Sequence, residues 1–420
     1  MQKRALLTIL ILSFNLALTV TCWAGVTEKL LYAFTGGTAG ASPSSSLVMD
    51  GNGNLYGTTA YGGDLNRCFD VRGCGVVFKL ALVGGTWQES VLYSFQGGSD
   101  GRDPIGNLVF DGFGNLYGTT FYGGTGACVS MGCGTVFKLS PTQNGSWTES
   151  VLYSFQNQPD GAFPTGLTFD AAGNLYGVAT AAGSNSRGNV YELSPPKQGN
   201  GPWSETILFN FSDFEIQANP VLVFDGKGNL YGTYQQEFGC YVACGAVYEL
   251  SNTGGTWTKT DLIDFLGGGN GGEPLAGVVF DKDGNLYGTG SLGGNNWGIA
   301  FQLRPSGGKW NELMVHNFCS LNNCLDGSTP RAALVIDADG ALYGTATGGG
   351  TGCRSCGVVF KLVHSRIGWE EIVLYNFRGE FEGGTPIQAL ILDKQGNLYG
   401  TTPGSGKLSF GTVFEVSPGK

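Results

Sequence analysis

The sequence predicts an all-β fold, a seven-bladed β-propeller with four antiparallel strands in each blade, and three observations support this prediction. One segment, Gly53 to Thr59, returns six more times with small changes. Each copy contains four short strand-like runs, and the two ends of the chain carry complementary parts of one copy. The tyrosines that mark the copies stand 55 to 61 residues apart, at Tyr56, Tyr117, Tyr176, Tyr231, Tyr287, Tyr343 and Tyr399.

The second repeat shows the four predicted strands clearly, at Leu108–Asp111, Asn115–Thr120, Thr135–Leu139 and Glu149–Phe155. These runs are rich in β-branched and aromatic residues, are bounded by Gly, Asn, Asp or Pro, and lack a helical period. The first run is apolar at consecutive positions, which predicts a strand covered on both faces. The glycine inside the second run, Gly118, is expected to let neighbouring blades approach closely near the axis.

The two ends of the chain decide between a closed ring and an open stack of repeats. Glu28–Phe34 matches Glu89–Phe95, which is a fourth strand, whereas the last strand-like run, Thr412–Val416, is a third strand. The N-terminal strand is therefore expected to pair in the last blade and close the ring, which also hides exposed sheet edges. A β-solenoid is the alternative, but its repeats are shorter and need no complementary ends.

The N-terminus predicts an export signal over residues 1–24. Lys3 and Arg4 precede an apolar run, Ala5 to Val20, and Ala24 suits cleavage. An uncleaved anchor is the alternative. Residues 25–420 are then expected to form a single propeller domain of seven repeats, monomeric and without a transmembrane segment. The predicted location is secreted or extracellular, with the periplasm as the alternative.

Composition and charge exclude one class of partner. The formal net charge is −10 for the whole chain and becomes −12 without the predicted signal, which carries two positive residues and no negative ones. Nucleic acid is therefore not an expected partner, because phosphate binding needs a basic surface. The 73 glycines and a charged fraction of 13% describe a turn-rich, packed fold.

The repeat motif also resembles a known family. The run Gly-Asn-Leu-Tyr-Gly-Thr-Thr is followed by a glycine pair and by Gly-x-Val-Phe-Lys-Leu, as in the GloVer tandem repeat of exported bacterial proteins, labelled "choice-of-anchor tandem repeat GloVer-containing". The resemblance covers residues 26–418. It implies an extracellular repeat protein and supplies no catalytic residues. The copies that carry it are Tyr61–Gly63 with Gly75–Leu80, Tyr122–Gly124 with Gly134–Leu139, and Gly357–Leu362.

Ten cysteines follow the predicted signal, and an even number in an exported protein predicts disulfides. Four of their five close pairs lie in loops between second and third strands, and those loops run 15 to 20 steps against 12 or 13 in the other repeats. A local cross-link would restrict the longer loops. Redox chemistry and zinc binding are weaker alternatives. The pairs are Cys68 with Cys74, Cys128 with Cys133, Cys240 with Cys244, Cys319 with Cys324, and Cys353 with Cys356.

The long loops suggest a ligand-binding face. In an antiparallel four-stranded blade, the loop between the second and third strands and the connection to the next blade emerge at the same end. Exposed aromatic and charged groups there suit contact with an extracellular protein or a carbohydrate, and packing of the loops is the alternative. The candidates that do not recur between repeats are Tyr61, Arg67, Phe69, Phe121, Tyr122, Tyr234, Phe238, Tyr241, Trp297 and Arg354.

No catalytic residue is predicted. Seven dipeptides open the inner strands, none of their side chains ionises, and His316 and His364 map elsewhere. We therefore expect a non-enzymatic binding or scaffold protein that uses the loop-rich face. The alternative is a secreted lactonase, lyase or hydrolase at the channel, with acids supplied by Asp64, Asp103 or Glu237. The dipeptides are Ser45-Ser46, Gly106-Asn107, Thr165-Gly166, Pro220-Val221, Ala276-Gly277, Ala332-Ala333 and Gln388-Ala389.

Recurring aspartates are interpreted as turn residues. Each turn between first and second strands holds one, which suits a turn-stabilising side chain better than seven active sites. Neither a cofactor nor a metal is predicted. Calcium at Asp281–Asn285 is the alternative, but the downstream glutamate spacing of a calcium loop is missing. The turn aspartates are Asp50, Asp111, Asp170, Asp225, Asp281, Asp337 and Asp393.

Overall fold

The computed structural model describes residues 26–418 except 69–71, 129–130, 198–200, 213–214, 217–220, 237–243, 354, 380–382 and 405. These residues form seven antiparallel sheets arranged as the blades of a ring, which confirms the predicted all-β propeller. The described part contains no α-helix. It therefore has no helix that is long and apolar enough to span a membrane. The predicted export signal lies outside the described residues. Single 3-10 turns occur at Gly37–Ala39, Gly98–Asp100, Gly268–Asn270 and Asn322–Cys324.

Each blade contains four main strands, numbered from the axis outward, and blades are numbered by the order of their first strands. First strands are Val48–Met49, Val109–Phe110, Ala162–Phe169, Val223–Phe224, Val279–Phe280, Val335–Ile336 and Ile391–Leu392. Second strands are Leu55–Tyr61, Leu116–Thr120, Leu175–Ala181, Leu230–Gln236, Leu286–Gly290, Leu342–Gly348 and Leu398–Thr402. Short strands at Ala41–Pro43, Glu215–Ile216 and Ser328–Pro330 also pair with second strands.

The outer half of each blade consists of longer strands. Third strands are Val76–Val83, Thr135–Pro141, Asn189–Ser194, Cys244–Thr253, Ile299–Ser306, Val358–Ser365 and Thr412–Ser417. Fourth strands are Thr86–Ser94, Trp147–Ser154, Ser204–Asn210, Thr256–Phe265, Lys309–Asn317, Gly368–Asn376 and, in blade 7, Thr27–Ala33. The strands predicted for the second repeat thus agree with the observed ones to within two residues.

Burial corrects one expectation about the strands. The second strand of blade 2, Leu116–Thr120, is buried along its whole length, whereas Val109 and Phe110 of the first strand are half-buried. A strand inside a four-stranded blade is covered by neighbouring blades on both faces, but the innermost strand has one side toward the axis. The prediction that the first run is covered on both faces therefore holds only for Leu108, which is fully buried.

The second strand needs a glycine at position 118 for a different reason from the predicted one. Gly118 pairs across the sheet with Phe137 of the third strand, and a side-chain carbon at Gly118 would lie 2.6 Å from the Phe137 ring. The same carbon would lie 2.8 Å from Leu108 in the same blade. The missing side chain thus accommodates an aromatic ring within the blade, and the expectation that it lets neighbouring blades approach is wrong.

Hydrophobic clusters join each blade to the next. One cluster contains Tyr56 and Val77 of blade 1 together with Leu116 and Phe137 of blade 2, and six similar clusters lie at the other junctions. Tryptophans that recur at or next to the start of the fourth strand pack at these junctions, as Trp147 does against Tyr56 with ring centroids 6.3 Å apart. Such contacts between neighbouring sheets build the core of a propeller.

Blade 7 combines the two ends of the described chain. Thr27–Ala33 pairs antiparallel with Thr412–Ser417, and Phe34 of the same N-terminal segment packs against Phe78 of blade 1 at 5.1 Å between ring centroids. At the inner strands, the Gln388 side chain donates a 2.8 Å hydrogen bond to the carbonyl oxygen of Ser44. Blade 7 therefore contacts blade 1 through a hydrogen bond at the inner strands and through the packing of Phe34 against Phe78.

Candidate functional site

The two ends of the ring differ in construction. The turn face carries the tight turns between first and second strands, and the loop face carries the loops between second and third strands with the connections between blades. On the turn face, Asp111 accepts hydrogen bonds from the backbone N–H groups of Phe113 and Asn115, both at 2.9 Å. It also accepts from the Asn115 side chain at 2.6 Å and from the Tyr117 hydroxyl at 3.1 Å. All seven turn aspartates accept such bonds from their own repeat, as expected for turn-stabilising residues.

These bonds control the ionisation of the turn aspartates. Burial by itself would raise the pKa of Asp111, but the bonds from Asn115 and the backbone outweigh it and hold the pKa below its ordinary value. The pKa values of Asp50, Asp225 and Asp281 are lowered for the same reason. At Asp281, the position of the calcium alternative, both carboxylate oxygens accept bonds from within the turn. The described residues contain no group of three or more His, Cys, Asp or Glu side chains arranged to hold a metal ion.

On the loop face, four of the predicted disulfides are formed: Cys68–Cys74, Cys128–Cys133, Cys319–Cys324 and Cys353–Cys356. Cys240 lies outside the described residues, so its pairing with Cys244 stays a prediction. The bond between Cys319 and Cys324 lies in the connection from blade 5 to blade 6. The other three lie between second and third strands, where the long loops predicted them.

In some blades another residue stands at the position that the second cysteine of a disulfide has elsewhere on this face. The residue before the glycine that precedes the third strand is Cys74, Cys133, Arg187, Cys244, Trp297, Cys356 or Phe410 in blades 1 to 7. The Cys68–Cys74 bond lies over Gly97 of the next connection, and Phe410 lies over the equivalent Gly36. A large aromatic ring thus occupies the place of the disulfide in blade 7.

Phe410 helps to form a cleft between blades 7 and 1. The cleft, of about 480 Å³, is also lined by Tyr61, Leu65 and Arg72 of blade 1 and by Ser42. The Arg72 guanidinium lies 4.4 Å from the centre of the Tyr61 ring, within cation–π distance. Phe410 and Leu65 remain 39% and 41% exposed, so the cleft offers apolar surface beside a positive charge.

A second cleft of about 480 Å³ lies at the same position between blades 1 and 2. Arg67, which forms an ion pair with Asp64 at 3.4 Å, lines it together with Arg102. Beside it, Arg102 lies 5.4 Å from the ring centre of Tyr122. Two further rings, Phe121 and Phe163, stack at 4.9 Å and complete an aromatic cluster with Tyr122.

The structure therefore separates the predicted candidates into groups. Tyr61, Arg67, Phe121 and Tyr122 lie together on the loop face of blades 1 and 2 and their junctions. Tyr234 is only 4% exposed and packs between Phe211 and Tyr248, so its interpretation as an exposed aromatic is corrected. Trp297 of blade 5 is 48% exposed and is not part of either cleft. Phe69, Phe238, Tyr241 and Arg354 lie outside the described residues.

Sequence reasoning missed four residues of this region: Arg72, Arg102, Phe163 and Phe410. They come from different blades or from positions that differ between repeats, so a repeat pattern does not point to them. Phe410 could have been found by register, since it stands where three other repeats have the second cysteine of a formed disulfide.

The inner strands are joined by side-chain hydrogen bonds to the next blade. Ser44 donates to the carbonyl oxygen of Pro104 at 3.1 Å, and Asn107 exchanges two bonds with the backbone of Leu167. Comparable bonds run from Thr233 to Ala276 and from Thr289 to Ala332. Polar groups near the axis thus hold the blades together. Arg331, one residue before the Ala332-Ala333 pair, is exposed and is an ionisable group that the sequence analysis did not consider.

A profile of the Gloeobacter/Verrucomicrobia repeat matches residues 17–241 and 217–420, which together span nearly the whole chain. The chain belongs to the Gloeobacter/Verrucomicrobia repeat family. This confirms the resemblance drawn from the repeat motif. No curated protein matches this repeat protein in sequence.

Three solved structures are similar to this Gloeobacter/Verrucomicrobia repeat protein at low sequence identity. The polysaccharide lyase Uly1 is 11% identical over 92% of both chains, with a TM-score of 0.50. A protein of unknown function from Dyadobacter fermentans is 13% identical over 94% of this chain and 100% of its own, with a TM-score of 0.48. A putative oxidoreductase (glucose dehydrogenase) from Thermus thermophilus is 12% identical over 94% and 100%, with a TM-score of 0.43. The likeness to Uly1, at 11% identity, shows the fold alone.

Proposed function

We propose that this protein is an exported, non-enzymatic binding module that holds a carbohydrate in the cleft between blades 7 and 1. The observation that carries the proposal is the grouping of Tyr61, Arg72 and Phe410 in one concave site assembled from two blades. Its volume of about 480 Å³ lies in the range of small-ligand sites. Export accords with the predicted signal and with the disulfides.

The chemistry of the cleft favours a sugar that carries a carboxylate. An aromatic ring offers a flat apolar surface for the C–H face of a sugar ring, and Phe410 and Tyr61 supply two such rings. A guanidinium binds a carboxylate through two parallel hydrogen bonds, and Arg72 lies in the same cleft. The chain has a net charge of −10, so a local arginine is what allows an acidic glycan to approach this face.

The test measures binding of purified protein to a glycan panel that contains neutral and uronic-acid oligosaccharides, followed by calorimetry on those that bind. We expect Tyr61→Ala and Phe410→Ala to weaken Kd about tenfold or more, since losing a central aromatic contact costs over about 1 kcal/mol. Trp297→Ala is the matched control, because Trp297 has the register position of Phe410 in a blade outside the cleft. Equal binding by Phe410→Ala and wild type would contradict the proposal.

The enzymatic alternative places a site at the channel. Of the acids it would recruit from loops, Asp64 is paired with Arg67 at 3.4 Å and Asp103 with Arg102 at 3.4 Å. Glu237 lies outside the described residues. Turnover of glycans or lactones by the same preparations, abolished by Arg331→Ala and retained in Tyr61→Ala, would replace the binding proposal with this one.

A further inference from the structure

A ring of acidic side chains lies on the fourth strands, at one register position near the outer rim. The position holds glutamate in six blades and lysine in blade 4: Glu89, Glu149, Glu205, Lys259, Glu312, Glu371 and, in blade 7, Glu28. At three junctions a second acid comes from the connection that follows the preceding blade, and the pairs are Asp100 with Glu149, Asp160 with Glu205, and Asp326 with Glu371. The two carboxyl groups of each pair thus interact electrostatically across a blade junction, and Asp160 and Glu205 both contact the Tyr153 hydroxyl.

The hydrogen-bond geometry of one pair favours a bound proton. The Tyr153 hydroxyl oxygen lies 2.8 Å from Asp160 Oδ2 and 3.3 Å from Glu205 Oε2. A hydroxyl has one hydrogen, and the backbone N–H of Gln156 at 3.0 Å already identifies Asp160 as an acceptor. If Tyr153 donates to Asp160, its contact with Glu205 is a full hydrogen bond only when the Glu205 carboxyl is protonated and donates to the tyrosine oxygen. The geometry therefore favours one shared proton in the pair.

The surroundings of the pairs favour the same protonation state. Burial, and then the charge of Asp160, raise the pKa of Glu205 to about 8, while the Tyr153 bond opposes the shift. Burial and Asp326 raise the pKa of Glu371 to about 8, and burial and Asp100 raise that of Glu149 to about 7. One carboxyl oxygen of each of these glutamates is buried without a hydrogen-bond partner.

Other ionisable groups of the described residues also act on the pairs. Tyr191 of the third strand faces Glu205, and Tyr93 and Arg67 act on the pair of Glu149 and Asp100. His316 Nε2 lies 3.6 Å from Asp326, and burial lowers the pKa of this histidine more than Asp326 raises it. A positive charge on His316 therefore contributes only in acid, where it attracts Asp326.

We propose that the three carboxyl pairs form a pH-sensitive latch between adjacent blades, closed while each pair holds a proton and weakened when both carboxyls ionise. The sign follows from linkage. A glutamate whose folded pKa lies above its unfolded value stabilises the fold below the unfolded value, and this contribution is lost as pH rises through the folded value. The latch therefore closes below about pH 5 and opens through pH 7 to 8.

The test measures Tm of the full chain between pH 5 and 9. Wild type is expected to lose Tm as pH rises, with the steepest loss around pH 7 to 8. Glu205→Gln and Glu371→Gln keep hydrogen-bonding capacity but cannot ionise, so each should show a smaller loss, and the double variant the smallest. The matched control is Glu370→Gln, which removes the same charge from an exposed neighbour on the same strand. The Tm of this control should fall with rising pH by the same amount as the Tm of wild type.

A second measurement decides the outcome even if a variant does not fold. The infrared spectrum of wild type at pH 7 should contain a protonated-carboxyl band that disappears by pH 9. Absence of this band at pH 6, or the same Tm loss in Glu205→Gln, Glu371→Gln and wild type, would overturn the latch.

Discussion

The aspartates of the turn face and the glutamates of the rim are the same kind of group in opposite surroundings. Asp111 accepts bonds from two backbone N–H groups, an amide and a hydroxyl, and its pKa falls. Glu205 is half-buried beside a second acid, and its pKa rises to about 8. The difference teaches that the donors around a repeated carboxyl group decide its behaviour. The turn aspartates should therefore stabilise the fold less in acid, and the carboxyl pairs of the rim should stabilise it less in base.

Blade 4 makes the comparison sharper, because Lys259 replaces the rim glutamate there. Lys259 forms an ion pair with Glu215 and another with Asp261 at 2.7 Å, and only 9% of its side chain is exposed. Hydrogen bonds from Lys259 and the Ser212 backbone outweigh the effect of burial and lower the pKa of Glu215. The acid at this junction thus stays ionised because its rim partner carries the opposite charge.

The largest expected effect comes from converting this ion pair into an acid pair. Lys259→Glu would place a third carboxyl group beside Glu215 and Asp261, and uncompensated buried charge costs about 3–5 kcal/mol. We expect the free energy of unfolding at pH 8, measured by denaturant titration, to fall by about that amount and to recover in part at pH 5. Lys227→Glu, the same charge change at an exposed turn of blade 4, is the control. Equal effects of the two substitutions would remove the distinction drawn for the rim.

A smaller loss is expected on the turn face. Asp111→Ala removes the acceptor of four hydrogen bonds and should lower the free energy of unfolding by about 2 kcal/mol at pH 7. A group with a lowered folded pKa stabilises above its unfolded value and loses this contribution as pH falls through the folded value. The difference between variant and wild type should therefore shrink below about pH 4. Asp283→Ala, at an exposed turn position, should have little effect; a pH-independent loss in Asp111→Ala would contradict the assigned role.

The smallest effect is a gain in stability. Glu205→Lys should convert the junction between blades 2 and 3 into the arrangement of blade 4, with the new ammonium group beside Asp160. We expect the variant to be more stable than wild type at pH 9 by about 1 kcal/mol, because a partly exposed ion pair contributes little. The gain should vanish near pH 5, where wild type already holds its proton. A loss of Tm at pH 9 would show that packing at Glu205 outweighs its charge.

The repeat made the fold predictable from sequence, and it also hid most of the candidate site. Seven copies of one motif identified the strands and the turn aspartates, since each copy has the same local environment. Tyr61 and Tyr122 were found because tyrosine stands at this position in only two of the seven repeats. Their partners Arg72, Phe163 and Phe410 were not found, because they meet only where neighbouring blades meet. The rim glutamates were overlooked because they recur, and a residue that recurs in most repeats is usually interpreted as part of the fold.

By itself, the sequence determined the number of blades, the strands within each blade and three cysteine pairs in the long loops, because these depend on short-range pattern and on the period. Only the tertiary structure decided that Gly118 accommodates Phe137, that Tyr234 is buried and that Glu205 faces Asp160. Such contacts depend on which side chains of separate strands and blades come together, and a carboxyl group takes its pKa from those neighbours.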